Sequence, residues 1–103
     1  MENKEGKINE IQILEQNLQN LFLQKQAFQM EISETMAAKR EIENAGDDVF
    51  KIVGQLMIKS DKSKIKEELS NREKLLNLRI KSLEKQEASF AEKIDSLKKE
   101  VLG

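Results

Sequence analysis

Asp47-Asp48-Val49-Phe50-Lys51-Ile52-Val53-Gly54-Gln55-Leu56-Met57-Ile58-Lys59-Ser60-Asp61 is the one stretch of this sequence where β-branched and aromatic residues crowd around a glycine. Acidic and serine residues bound it, a composition that predicts two short strands and a turn. The strands are Val49-Phe50-Lys51-Ile52-Val53 and Gln55-Leu56-Met57-Ile58-Lys59, giving a hairpin over 49–59 with Gly54 as the turn residue. Alternation sets Val49, Lys51 and Val53 against Phe50 and Ile52, and Leu56 and Ile58 against Gln55, Met57 and Lys59. Both faces are therefore apolar, and both strands have free edges. Such a hairpin is marginal alone and aggregation-prone if left open. Pairing with hairpins of other subunits into a closed β-barrel removes the edges. Val49, Phe50, Ile52, Val53, Gly54, Leu56, Met57 and Ile58 are the expected subunit interface.

On either side of the hairpin the sequence is polar with an apolar stripe. From 7 to 45, heptad position a holds Ile11, Leu18, Lys25, Ile32 and Lys39, and position d holds Leu14, Leu21, Phe28, Thr35 and Ile42. This predicts a coiled-coil helix about 58 Å long, ending where Gly46 can take a left-handed cap. From 62 to 102 the d series is Leu69, Leu76, Leu83, Phe90 and Leu97, and the a series is Glu73, Ile80, Glu87, Ile94 and Val101. Asp61 is the expected N-cap of this second helix. Two equal helices on a short connection run antiparallel. The fold class is thus mainly α: a long antiparallel two-helix coiled coil joined by a single β-hairpin, within one domain spanning 1–103.

The two stripes match in one register, with layers Ile11–Leu97, Leu14–Ile94, Leu18–Phe90, Leu21–Glu87, Lys25–Leu83, Phe28–Ile80, Ile32–Leu76, Thr35–Glu73 and Lys39–Leu69. In it Lys25 lies one layer from Glu87, and Lys39 one layer from Glu73. Each lysine can snorkel to its carboxylate, so these pairs are expected to fix the register. Glu68–Arg72 and Asp95–Lys99 have the favourable acid-first helical spacing.

Composition closes several routes. Charged residues make up 36% of the chain and apolar residues 38%, with a net charge of −1, which suits a folded helical protein rather than a disordered one. Cysteine and histidine are absent, which excludes thiol chemistry, disulfides and the usual zinc sites, and proline is absent, which leaves long helices uninterrupted. Adjacent acids such as Asp47-Asp48 and Glu67-Glu68 have no nucleophile or convergent pocket, and the four glycines form no phosphate-cradling loop. No enzyme, cofactor or metal is expected. The charge balance speaks against nucleic acid, and no apolar run is long enough to span a bilayer. The polar start, Met1 to Lys7, gives no secretory signal, so a cytoplasmic location is expected.

The pattern Asp47-Asp48-x-Phe50-Lys51-x-Val53-Gly54-x-Leu56-x-Ile58-Lys59, followed by Lys62 and Glu67-Glu68-Leu69, resembles the β class of prefoldin subunits, of the archaeal type. One hairpin rather than two marks that class. The resemblance implies an ATP-independent chaperone subunit, a chaperonin cofactor in a hetero-hexamer of two α-class and four β-class subunits. Their hairpins would join into a barrel body, and the coiled-coil tips would hold unfolded polypeptides and pass them to a group II chaperonin. Ile8, Ile11, Leu14, Leu97, Val101 and Leu102 are the candidate client-binding residues at the tip. The alternative is a structural or adaptor coiled coil that dimerises through its hairpin and binds one folded partner.

Overall fold

The structure is a computed structural model and describes residues 4–103; the first three positions of the expected 1–103 span lie outside the described residues. Helix α1 runs Lys4–Asn44, strand β1 Val49–Val53, strand β2 Leu56–Ser60 and helix α2 Lys62–Leu102. Among the described residues, helix α1 already includes Lys4, Glu5 and Gly6, ahead of the expected start at Lys7. The strands pair antiparallel, Val49 opposite Ser60 and Val53 opposite Leu56.

The turn is one residue longer than expected. Gln55 belongs to it rather than to β2, leaving Gly54-Gln55 as a two-residue connection. Gly54 has φ +61°, and no other described residue has a positive φ. A positive φ at the first turn position and a negative one at the second is the type II′ pattern, whose twist matches the flanking strands. An alanine at position 54 would be strained there by its Cβ.

The described residues fall into two compact units. The first combines α1 through Phe28 with Arg79–Gly103. Its core is Ile11, Leu14 and Ile94, with Leu18, Phe90, Leu97 and Val101 packed against them. Leu21 and Leu83 are also buried. These are a and d residues of both stripes, meeting in the expected register. Lys7–Glu100 at 3.1 Å and Glu15–Lys98 at 3.3 Å flank the seam.

The second unit is Gln29–Leu78 and includes the hairpin. Leu76 is its most buried residue, 3% exposed. Thr35 is buried in the seam as well, and its hydroxyl donates to the Glu31 carbonyl at 2.8 Å, so the polar atom is satisfied within its own helix. Arg72 reaches across to Glu31 at 3.4 Å rather than along its helix to Glu68, which instead takes Lys51 of the hairpin at 3.3 Å. Of the two helical pairs expected from spacing, only Asp95–Lys99 forms, at 3.2 Å. Cross-helix partners won at Arg72 because the seam holds them within reach.

A buried leucine in so thin a core leaves a cavity when truncated. Leu76→Ala is expected to lower unfolding stability by about 2–3 kcal/mol, the lower half of the usual range, because a two-helix seam can partly collapse around the gap. Urea titration followed by circular dichroism measures this, and an unchanged midpoint would show that Leu76 is not core.

Candidate assembly and tip surfaces

The hairpin divides into a covered base and an open remainder. Val49, expected in the subunit interface, is only 6% exposed. It lies at the hairpin base beside Ala38, Ile42, Ala45, Ile65 and Leu69, so it belongs to this chain's own packing. The helix ends are wide enough to cover the first strand position and no more. Phe50 (54% exposed), Ile52 (71%) and Met57 share one open face, with Ile52 directly opposite Met57. Val53, Leu56 and Ile58 on the other face are open too. Lys51 shares the face of Val49 and Ile58 and is held down by Glu68, while Lys59 meets Asp48 at 3.6 Å. Among the described residues, the outer edges of β1 and β2 pair with no third strand.

The junction beneath the hairpin differs from expectation. Gly46 does not adopt the left-handed conformation. Helix α1 closes instead with a tight bond from the Ala45 amide to the Ile42 carbonyl, at 3.3 Å. The Lys62 ammonium then donates to the Ala45 carbonyl at 2.8 Å and the Glu43 carbonyl at 3.4 Å. A cation from the next helix thus satisfies carbonyls that a glycine cap would otherwise have turned to backbone amides. Helix α2 starts as expected: the Asp61 carboxylate accepts from the Ser63 amide at 3.0 Å, and its carbonyl accepts from Ile65. Lys66 meets Glu43 at 2.6 Å. That hydrogen bond, with the Lys66, Lys62 and Lys39 charges, holds the Glu43 carboxyl below its ordinary value.

Both expected register pairs form. Lys25 lies 2.8 Å from Glu87, each side chain 19% exposed, and Lys39 lies 2.9 Å from Glu73. The hydrogen bond to Glu87 raises the Lys25 pKa above its ordinary value, outweighing the partial burial that lowers it. The double charge reversal Lys25→Glu with Glu87→Lys is expected to recover most of the thermal midpoint lost by either single change. Additive losses would mean the pair does not act as a unit.

At the tip the candidates separate. Ile11 and Leu14 are buried, and Leu97 and Val101 pack against the same core, so these four hold the helices together. Ile8 (42% exposed) and Leu102 (86%) are open. The spacing of Ile8, Phe22 and Met36 reads as a partial second stripe at heptad position e, and all three are exposed. Phe22 of that stripe joins Leu18, Ala88 and Ala91 along an apolar groove. On another side of the same unit Arg79 sits over the Phe28 ring, 5.7 Å from its centre. Among the described residues no acidic cluster is arranged for a metal, and no helix is long and apolar enough to cross a membrane.

A family model described as prefoldin subunit matches residues 5–102, nearly the whole of both helices and the hairpin between them. The chain belongs to the prefoldin family. Among its relatives is prefoldin subunit beta of Thermococcus onnurineus, 35% identical over 96 residues, covering 91% of this chain and 83% of that one. Prefoldin subunit beta of Pyrobaculum aerophilum is 33% identical over 96 residues, covering 91% and 76%. Among solved structures, the prefoldin beta subunit from Thermococcus strain KS-1 superposes with a TM-score of 0.88 at 34% identity, covering 98% of this chain and 94% of that one. Prefoldins are chaperone subunits rather than enzymes, and the single hairpin of this chain agrees with the beta type of these relatives.

Proposed function

We propose that this chain is the β-type subunit of an ATP-independent holding chaperone. Its hairpin joins an α-class subunit and further β subunits, two α and four β in all, in a barrel-centred body. Its tips hold unfolded polypeptides in the cytoplasm and hand them to a group II chaperonin. The observation that carries the reading is the open hairpin, with Phe50, Ile52 and Met57 on one face, Val53, Leu56 and Ile58 on the other, and two unpaired edges. Surface of that kind is normally covered by a neighbour. Weak contacts at several tips then add into a useful avidity without any one tip binding tightly.

Two measurements test the proposal together. Native mass spectrometry of the chain mixed with a separately expressed α-class prefoldin subunit should show a mixed oligomer. Light scattering should show that this oligomer suppresses aggregation of several unrelated denatured proteins. Failure to mix, combined with binding to a single folded protein, would favour the adaptor reading instead.

A further inference from the structure

Two helix ends meet at the base of the hairpin, and the charged residues of each terminal turn are inverted with respect to its macrodipole, although Asp61 caps α2 from just outside that turn. The last turn of α1 holds Glu41 and Glu43 and no basic residue, although a helix C-terminus favours cations. The first turn of α2 holds Lys62 and Lys64 and no acid, although a helix N-terminus favours anions. Alone, the α1 end is penalised by its own acids, and at the α2 end Lys62 and Lys64 work against what the Asp61 N-cap contributes. Set together, the two inversions cancel: Lys66 takes Glu43 at 2.6 Å, and Lys62 takes the free carbonyls of Ala45 and Glu43. The only chain joining them is the loop that contains β1 and β2, and Lys51–Glu68 ties that loop down at 3.3 Å.

We infer that this crossed-charge junction is a latch for the assembly surface, with Lys62 and Lys66 as positioning residues. The helix ends are stable while the hairpin is folded, and the hairpin keeps its pose while the ends are joined. Lone surface ion pairs contribute little. This case differs because an ammonium satisfies carbonyls left without another cap, and because without pairing the acids at the α1 end and the lysines at the α2 end each oppose their own macrodipole. The lowered pKa of Glu43, caused first by Lys66, agrees with a carboxylate held in this pairing. The inference rests on the hairpin being the assembly surface, and the experiment separates the two ideas.

In the full-length chain, hydrogen exchange of the β1, β2 and Ala45 amides is compared with the affinity for an α-class prefoldin subunit. Lys62→Met is expected to speed exchange at all these amides by roughly tenfold, and to weaken assembly by a similar factor, since it removes charge-assisted bonds to carbonyls. Lys62→Arg should restore most of both, and Lys64→Met, two residues along α2 and without bonds to these carbonyls, should neither speed exchange nor weaken assembly. The double variant Glu43→Lys with Lys66→Glu keeps the pair but suits each helix end to its own dipole. In it, low denaturant should open the hairpin while the Ala45 amide stays protected, whereas in the parent chain both open together. Unchanged exchange in Lys62→Met, or weakened assembly with unchanged exchange, overturns the latch; the latter would make Lys62 a direct partner contact. Should the parent chain itself fail to assemble, the assembly reading falls, and the exchange comparison still decides whether the ends are coupled.

Discussion

Phe50→Asp combined with Ile52→Asp is expected to abolish assembly with an α-class subunit while leaving the coiled coil folded. Both side chains are more than half exposed on one face of β1, so the isolated chain has little to lose by the change. In an assembled state they would be desolvated, and burying a carboxylate without a partner is far more unfavourable than losing an apolar contact. Two such charges should weaken association by several kcal/mol, which moves a nanomolar complex beyond the micromolar range. Native mass spectrometry reads the result directly, and circular dichroism checks that the helices persist. An unchanged oligomer mass would remove the hairpin from the interface. Val49 gives the internal contrast: it is buried in this chain, so Val49→Asp should unfold the junction rather than act on assembly alone.

The second large effect concerns the tips. Deleting residues 1–10 and 98–103 removes Ile8, Val101 and Leu102 and the Lys7–Glu100 pair, and leaves the Ile11, Leu14 and Ile94 core in place. The truncated subunit is expected to assemble normally and to lose protection of a denatured client. Because binding through several tips multiplies, a modest loss at each tip would appear as a fall of about two orders of magnitude or more in overall affinity. Light scattering of a denatured client, with and without the truncated complex, measures it. Full protection would place client binding elsewhere on the chain, and the Phe22, Leu18, Ala88 and Ala91 groove would be the next surface to change.

Much of this molecule is legible in its residues because the relevant physics is local or periodic. The heptads specify the seam, and the register that matches the two stripes throughout also brings Lys25 to Glu87 and Lys39 to Glu73. The hairpin announces itself by composition. What stayed hidden depends on contacts between residues distant in sequence. Gly46 has the sequence of a left-handed cap, yet an ammonium 16 positions later, on Lys62, takes up carbonyls of the turn before it, and the glycine is left without that role. Gln55 continues an alternating pattern, but a two-residue turn needs a second member after Gly54. Val49 alternates with residues that are open, and only the breadth of the helix ends decides that it is covered. At the tip, Ile11, Leu14, Leu97 and Val101 have the same composition as binding residues and serve as core. Hydrophobicity alone does not distinguish those two uses.

The seam also sets an order of events. Contacts beside the hairpin close short loops, such as Lys62 to Ala45 at a sequence separation of 17, whereas Lys7 and Glu100 are separated by nearly the whole chain. Loop closure becomes less favourable with length, so pairing should begin where the loop is shortest and zip outward layer by layer. Each layer then shortens the loop for the next. Run backward, the same order makes the termini the first part to open and the turn the last. Native-state exchange should therefore show protection rising steadily from Ile11 toward Leu76, and a flat profile would mean that the helices join all at once. A zipper with its slider parked at Gly54 can loosen at the free end repeatedly without losing its alignment.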